Sequence, residues 1–365
     1  MEKALKIVVT GTRGIPDILG GVETHCEELF PRIAAKGFDV TIVRRRSYVR
    51  DSLTSYKGVA IYDIPDIKRK SFEAIIHTLR AVWVAKWKLR ADVVHIHAIG
   101  PALLVPVARL LGLKVVFTHH GPDYDREKWG KLAKVILRLG ERMGCVFANE
   151  VIVISNVIND IVKRKYKRFD AHLIHNGVAP AIFADNADFL NELGVESRKY
   201  IFAMGRFVPE KNFHALIEAF SSLKQSEYRL VIAGDADIED EYSQGLKQQA
   251  EKAGVALTGF IKGDKLQTLL SHAAMFVIPS SHEGLPIALL EAMSYGLPVL
   301  ASDIPANKEV NLPPACYFHY DANIVANLSE ALKRALSDNL DDVSYDLTPY
   351  DWEVIAEQTI KTYSY

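Results

Sequence analysis

The chain has 365 residues, of which 49% are hydrophobic and 24% are charged. This length exceeds that of a single hydrophobic core and predicts two domains, and the composition excludes a disordered or fibrous protein. The net charge of −1 conceals an asymmetry: residues 1–185 hold 30 Lys and Arg against 19 Asp and Glu, whereas residues 186–365 hold 14 against 26. The first half is therefore expected to face an anionic partner, such as nucleic acid, phosphorylated lipid or a phosphorylated substrate.

Targeting signals and cysteine usage point to one compartment. No basic-then-apolar leader precedes the first strand-like run, and no stretch of about 18 apolar residues occurs. The cysteines, Cys26, Cys145 and Cys316, are few and far apart, which predicts neither a disulfide framework nor a zinc site. We therefore predict a cytoplasmic protein.

Short β-rich runs alternate with helical patterns in the first half, which predicts βαβ units around a parallel sheet. The runs that predict strands lie at 6–10, 40–43, 59–63, 93–97, 114–118, 151–155 and 171–175. Helices are predicted over 22–36, 72–90 and 128–147.

A second series of strand-like runs begins after a stretch without strong periodicity, residues 179–198. Its strands are predicted at 200–205, 229–234, 255–259, 275–279, 298–302 and 316–320. We predict a first domain over 1–178, a second over 179–348, and a terminal amphipathic helix at about 349–363 within the segment 349–365.

The segment 282–291, HEGLPIALLE, follows an apolar run and opens a helical pattern. Glu283 then lies at the carboxyl end of its strand, where parallel α/β sheets bind ligands. Gly284 lies in the turn, Pro286 suits the first helical turn, and the free amides there would attract a diphosphate. Glu291 suits the paired hydroxyls of a ribose. The alternative is a helix-capping Glu followed by a solvated one.

Two further segments leave the first strand of each half. In the segment 205–212, GRFVPEKN, Arg206 and Lys211 flank a turn and could clamp a departing diphosphate, although solvated surface charges are the alternative. In the first half, glycines that include Gly20 and Gly21 precede a helix and would let the backbone approach a ligand. A merely structural loop is the alternative there.

Histidines follow two neighbouring strands of the first sheet. His97 ends one predicted strand and His119 and His120 end the next, so all three are expected near the mouth of the sheet. Metal binding would normally need a carboxylate or Cys partner. The Asp-x-Asp triplets at 123–125 and 235–237 could hold a metal against a diphosphate, but a cationic clamp makes one unnecessary. We predict no metal site.

Taken together, these residues resemble the GT-B glycosyltransferases of the large retaining family four, which act on NDP-sugars. The resemblance covers essentially the whole chain and looks closer still to a bacterial polysaccharide-assembly subgroup that includes rhamnosyltransferases. It implies an α/β fold of two Rossmann-like domains that face each other across a cleft, with the terminal helix crossing back to the first domain. The motifs that carry it are GGVE (20–23), THHG (118–121), HNGV (175–178), GRFVPEKN, TGFI (258–261) and EGLPIALLE.

The resemblance also implies roles for single residues. Arg206 and Lys211 would bind the donor pyrophosphate, Glu283 the sugar hydroxyls and Glu291 the ribose. His97 would lie beside the sugar and the acceptor. Further donor contacts are implied for the backbone of Gly20, Gly21, Gly259, Phe260, Ile261, Gly284, Leu285, Pro286 and Ile287. The expected partners are an NDP-sugar, which is a substrate rather than a cofactor, and a saccharide or lipid-linked saccharide acceptor. Transfer is expected to retain configuration and to need no divalent metal.

Three other functions are compatible with parts of the sequence. A sugar-nucleotide epimerase uses the same scaffold, and fold alone does not decide between the two, nor against a catalytically silent binding protein. A short-chain oxidoreductase is suggested by Tyr124 and Lys128, but the remaining cofactor glycines are missing.

One basic segment, 79–90, LRAVWVAKWKLR, contains Trp83 and Trp87 among Lys and Arg. It predicts docking on anionic lipid, and hence a peripheral position at the inner face of the cell membrane. The alternative is an ordinary domain helix with a snorkelling basic face. The surface needed to read nucleic acid is lacking, so no nucleic-acid partner is expected.

Overall fold

The computed structural model describes residues 4–49, 51–65, 73–125, 130–185, 188–223, 227–337 and 343–364. The chain divides into two compact units. Unit 1 comprises Met1–Gly177 and Tyr350–Tyr365, and unit 2 comprises Val178–Pro349. Each boundary differs by one residue from the predicted one.

Unit 1 is built on an eight-stranded sheet in which all pairings are parallel except that of β3 with β4. The strand order is β3-β4-β2-β1-β5-β6-β7-β8. The strands are β1 Lys6–Thr10, β2 Asp39–Arg45, β3 Ser55–Tyr56, β4 Val59–Ile64, β5 Val93–His97, β6 Lys114–His119, β7 Glu150–Val153 and β8 His172–Leu173.

Helices connect these strands, as parallel pairing requires. They are α1 Gly21–Ala35, α2 Glu73–Val84, α3 Val105–Leu110, α4 Lys131–Phe147 and α5 Asn156–Tyr166. The helix α2 continues into a π-helical turn, Ala85–Leu89, and a 3-10 turn, Pro101–Leu104, precedes α3. Ser155 caps α5, since its Oγ accepts a hydrogen bond from the Ile158 amide at 3.4 Å.

Unit 2 contains a six-stranded sheet with the order β11-β10-β9-β12-β13-β14, in which every pairing is parallel. Its strands are β9 Tyr200–Met204, β10 Arg229–Ala233, β11 Ala256–Leu257, β12 Met275–Ile278, β13 Val299–Ser302 and β14 Tyr317–Phe318. Its helices are α6 Asp188–Leu193, α7 Phe213–Ser221, α8 Glu241–Lys252, α9 Asp264–His272, α10 Ile287–Ser294, α11 Pro305–Lys308 and α12 Ile324–Ser337.

Both sheets follow the doubly wound Rossmann order, in which the chain builds one side of the sheet first and then crosses to build the other side. The crossing lies between β1 and β5 in unit 1 and between β9 and β12 in unit 2. Ligands of such sheets bind outside the carboxyl ends of the strands at this switch point. The prediction of two Rossmann-like parallel sheets is confirmed.

The prediction of a returning terminal helix is also confirmed. The helix α13, Trp352–Lys361, packs against α1, and Trp352 is buried in the core of unit 1. Its start is capped by Asp351, which accepts a hydrogen bond from the Glu353 amide at 2.7 Å.

Several element bounds differ from the predicted ones. The runs at 171–175, 255–259 and 316–320 form only two-residue strands, because each lies at or near a sheet edge with few partners. The stretch 179–198 contains α6, and β3 was not predicted. The predicted helices 72–90 and 128–147 begin at residues 72 and 128, which lie outside the described residues.

Candidate functional site

Most predicted site residues follow strands at the two switch points, whereas residues 259–261 follow β11 at the edge of its sheet. In unit 1, Gly11 follows β1 and His97 ends β5; in unit 2, Gly205 follows β9 and Glu283 lies in the loop after β12. At both places the strand ends approach closely. A Cβ on Gly11 would lie 2.1 Å from the His97 carbonyl oxygen, and Gly11 has a φ of +97°. Only glycine fits this position.

The loop after β9 is fastened to the loop after β12. Pro209–Lys211 forms a 3-10 turn, after which Asn212 takes a left-handed conformation with a φ of 53°. The Asn212 side-chain amide donates to the Pro279 carbonyl at 3.0 Å, and the Ser281 amide donates to the Glu210 carbonyl at 2.9 Å. These bonds hold the two loops together at the switch point of unit 2.

The hydrogen bonds between these two loops place Lys211 next to Glu283. Lys211 Nζ donates a hydrogen bond to Glu283 Oε1, although 72 residues separate them. Arg206 forms an ion pair with Asp237, with an N···O distance of 3.0 Å. Asp235 pairs instead with Lys247, also at 3.0 Å. Both residues of the predicted clamp are thus held by carboxylates, and the two carboxylates of the 235–237 triplet are directed to different cations.

The segment after Glu283 leads directly into α10. Pro286 precedes the first helical residue, Ile287, and its carbonyl accepts from the Leu289 amide at 3.1 Å. The amides of the first helical turn are a ready site for an anion. Glu291 lies within the same helix and is partly buried.

The predicted base-binding segment, residues 259–261, follows β11. Gly259 has a φ of +69°, and its carbonyl accepts from the Gly234 amide at 2.8 Å. Phe260 is exposed and Ile261 is partly buried. The segment is therefore joined by its backbone to the end of β10.

In unit 1, the glycine-rich loop is fastened to the first turn of α1 by Glu23. Glu23 Oε1 accepts from Thr12 Oγ1 at 3.2 Å and from the Arg13 amide at 3.1 Å, and Oε2 pairs with the Arg13 guanidinium at 3.0 Å. Gly20 has a φ of +147°, whereas a Cβ on Gly21 would have no neighbour within 4 Å. Gly20 is thus required by the backbone and Gly21 is not.

A cluster of imidazoles surrounds His97. The His97 ring stacks on those of His95 and His120, with centroid distances of 4.3 and 5.2 Å, and His97 Nδ1 lies 2.9 Å from His120 Nε2. His25, on α1, adds a fourth ring 4.9 Å from that of His120. His25 Nδ1 lies 3.0 Å from Asn176 Oδ1. Among the described residues, no hydrogen-bond partner reaches Nε2 of His25 or of His97.

Burial sets the charge of this cluster. It lowers the pKa of His95 and His120 to about 3 and holds those of His25 and His97 well below the usual value, and neighbouring imidazoles lower them further. The four rings are therefore neutral at physiological pH.

His119 does not join His97 and His120, because successive residues of a strand point to opposite faces. His119 Nε2 lies 2.9 Å from Glu141 Oε1, and both side chains are fully buried. Tyr124 and Tyr166 donate to the same carboxylate. Burial alone would raise the pKa of Glu141, but the bonds from His119 and Tyr166 lower it overall. The expectation that His119 lies with His97 and His120 is therefore wrong, and its imidazole belongs instead to a buried polar cluster around Glu141.

Sequence reasoning assigned no role to His25, Asn176, Glu141 or Glu23. A signal was available for His25, since it shares a helical face with the buried Leu29. Glu23 and Asn176 lie in the motifs GGVE and HNGV, but their partners depend on tertiary contacts that a local pattern does not reveal, and the same holds for Glu141.

Comparison with known proteins identifies the class. A family model described as Glycosyltransferase Family 4 matches residues 19–181, and one described as Glycosyl transferases group 1 matches residues 186–347. The chain is 30% identical to an alpha-maltose-1-phosphate synthase of Mycolicibacterium smegmatis, over 95% of this chain and 96% of that protein. Its structure resembles sucrose-phosphate synthase from Thermosynechococcus elongatus with a TM-score of 0.80, at 19% identity and over 99% and 98% of the two chains.

A further relative is the UDP-Gal:alpha-D-GlcNAc-diphosphoundecaprenol alpha-1,3-galactosyltransferase of Escherichia coli. It is 27% identical over 92% of this chain and 89% of its own. The fold is that of the GT-B glycosyltransferases, and the matches define a sugar-transferring enzyme of glycan assembly. The chain belongs to glycosyltransferase family 4. These matches do not favour a sugar-nucleotide epimerase.

Proposed function

We propose that the chain transfers a sugar from an NDP-sugar to a saccharide acceptor, and that its donor pyrophosphate binds Arg206 and Lys211. The contact between Lys211 and Glu283 carries this proposal. It joins, at the switch point of unit 2, a cation suited to a phosphate and a carboxylate suited to sugar hydroxyls. Asp237 would compete with the diphosphate for Arg206, so donor binding exchanges one anionic partner for another.

The remaining donor contacts follow from the same arrangement. The amides of residues 284–287 would bind the sugar or the diphosphate at the start of α10, and Glu291 would accept hydroxyls of the ribose. The backbone of residues 259–261 would contact the base. Gly20 and Gly21 would approach the phosphates, and the absence of neighbours around Gly21 within 4 Å supports that role.

The proposed transfer retains the anomeric configuration. No carboxylate is an evident nucleophile, because Glu283 is proposed to bind sugar hydroxyls and His97 is a poor group for a glycosyl intermediate. The departing phosphate oxygen would accept the acceptor's proton on the same face of the sugar. Arg206 and Lys211 would stabilise the charge that develops on the diphosphate, and His97 would lie beside the transferred sugar.

A panel of NDP-sugars, including an activated rhamnose, tests the proposal. The donor should raise the melting temperature with its concentration, because a ligand that binds the native state stabilises it. With donor and acceptor present, NMR of the product should show the donor's anomeric configuration, and EDTA should not lower the rate. An inverted product would overturn the mechanism. A strict need for a divalent ion would instead indicate that Asp235 and Asp237 hold a metal against the diphosphate.

The acceptor is proposed to be lipid-linked. The name of the Escherichia coli relative specifies a diphosphoundecaprenol-linked acceptor. None of the helices in the described ranges is long and apolar enough to cross a membrane. Trp83 and Trp87, with exposures of 61% and 59% and ring centroids 5.8 Å apart, support docking.

A second exposed face of unit 1 supports the same proposal. On α4, Leu132 and Val135 are exposed by 69% and 59%, and Lys131 and Arg138 are exposed beside them. Both α2 and α4 pack against the 3-10 turn Pro101–Leu104, so the two faces flank a common element. Aromatic and aliphatic side chains among cations are suited to an anionic lipid surface.

A further inference from the structure

Three imidazoles of unit 1 converge from three different elements. His25 lies on α1, His97 ends β5, and His120 follows β6. One ring nitrogen of each lies within 4.8 Å of those of the other two. Across the described ranges, no other group of three His, Cys, Asp or Glu side chains is placed in this way.

Hydrogen bonding shows which nitrogen of His25 carries its proton. Asn176 Oδ1 accepts from His25 Nδ1 at 3.0 Å, so Nε2 presents a lone pair. That atom is buried, and within the described residues it has no hydrogen-bond partner; the same holds for His97 Nε2. A buried polar atom without a partner is costly, so two in one cluster point to a ligand that satisfies them.

The donor set selects the class of ligand. Neutral imidazoles are ligands for zinc and neighbouring transition metals, and three of them with one open position form a known tetrahedral arrangement. The bond from His25 Nδ1 to Asn176 is the kind of outer contact that orients a metal-binding histidine.

We propose that His25, His97 and His120 bind one divalent ion of the zinc class, with water in the fourth position. Binding of the ion does not depend on the proposed transfer reaction. The effect of the ion on activity does rest on the proposed function. Because His97 is proposed to lie beside the transferred sugar, a bound ion would inhibit transfer by competing with substrate.

The test uses the full chain, freed of metal with EDTA and dialysed, without any sugar nucleotide. Titration with Co²⁺ should produce the visible absorption of four-coordinate cobalt bound by nitrogen, and calorimetry with Zn²⁺ should show one ion per chain. We expect His25→Gln and His120→Gln to weaken binding on the order of 10²-fold. Circular dichroism and the melting temperature establish that each variant is folded.

A matched control is His319→Gln, which removes an exposed imidazole of unit 2 that lies 3.1 Å from Asp303. It should bind both ions as the wild type does. His120 is the least buried of the three ligands, so its variant decides the outcome if His25→Gln does not fold. The proposal is overturned if the wild type shows no saturable binding, if His120→Gln binds normally, or if His319→Gln loses binding. Because no donor is present, none of these results bears on glycosyl transfer.

Discussion

The switch points of the two units share a strand order but differ in chemistry. Unit 1 presents buried, neutral imidazoles around His97, whereas unit 2 presents the cations Arg206 and Lys211, each paired with a carboxylate. In unit 1, burial removes the charge of the rings; in unit 2, Arg206 and Lys211 keep 18% and 17% of their side chains exposed. The shared fold therefore fixes where functional side chains lie, while residue type and burial decide what they can hold.

The first prediction has the largest expected effect on stability. It concerns a feature that the two units share, the close approach of neighbouring strand ends. A Cβ on Gly11 would lie 2.1 Å from the His97 oxygen, and one on Gly234 would lie 1.8 Å from the Gly205 oxygen; both glycines have positive φ. Backbone strain and overpacking together should make Gly11→Ala and Gly234→Ala each cost about 3 kcal/mol or more in the free energy of unfolding, measured by urea denaturation.

The control for these variants is Gly245→Ala in α8, where an added Cβ meets nothing within 4 Å. It should stabilise the chain by up to about 1 kcal/mol, because alanine favours a helix over glycine. If Gly11→Ala lowers the free energy of unfolding only slightly while Gly234→Ala lowers it strongly, the strand ends of the two units are not equivalent.

The second prediction concerns the charged edge of unit 2. Lys211→Ala should lower kcat on the order of 10²-fold or more, and more than it raises KM, because the lost charge acts on the departing diphosphate. Arg206→Ala should behave alike. Steady-state kinetics with the best donor measures both effects.

The matched control for the clamp is Lys247→Ala, which removes a cation paired with Asp235 at 3.0 Å. Its turnover should stay within about twofold of the wild type, since we propose no donor contact for it. Near-normal turnover of Lys211→Ala would refute the proposed role of that residue.

The third prediction concerns Glu141, the fully buried carboxylate of unit 1 that contacts His119. Glu141→Gln should lower the free energy of unfolding by about 2 kcal/mol at pH 7, because the variant loses charge-assisted hydrogen bonds from His119 and the two tyrosines. The pKa of Glu141 is lowered in the native state, so its contribution is present at neutral pH and is lost as pH falls below the usual carboxyl range.

Chemical denaturation from pH 7 down to about pH 2.5, below the usual carboxyl range, checks this sign. The difference between wild type and Glu141→Gln should shrink as the pH falls. A difference that grows with acidity would mean that the native state binds the proton more tightly than the unfolded chain, contrary to the assignment.

The smallest expected effect concerns the charge asymmetry between the halves. Replacing the exposed Lys88 and Arg90 by Gln should weaken binding to vesicles with anionic lipid by about 1 kcal/mol per charge. Lys308→Gln, in unit 2, is the control, since that side chain is 55% exposed but lies outside the proposed docking faces. Co-sedimentation at rising salt measures the effect; binding that ignores lipid charge would refute docking.

The sequence predicts the fold better than it predicts the clusters. Strands such as β1 and β5 are continuous apolar runs with neighbours on both sides, and those were located within a residue. The order of motifs also indicates that Arg206, Lys211 and Glu283 belong to one unit. Their pairing depends on the αL turn at Asn212 and on bonds between two loops, which no local pattern reveals.

The imidazole cluster illustrates the same limit within unit 1. Strand-end positions predicted that His97 and His120 would be neighbours, and the structure confirms it. His25 joins them only because α1 turns one face towards β5, and His119 leaves them because alternation along β6 directs it to Glu141.

The position of α13 in unit 1 has a consequence for synthesis on the ribosome. Trp352 and Tyr363 belong to the core of unit 1, and Tyr363 lies 2.8 Å from His95 through its hydroxyl oxygen, yet residues 178–349 are translated before them. Unit 2 is continuous in sequence and can fold as soon as it emerges, whereas the first 177 residues must wait for the segment beyond residue 349. Unit 1 is begun first and completed last, so its apolar surface for α13 stays uncovered while the whole of unit 2 is being made.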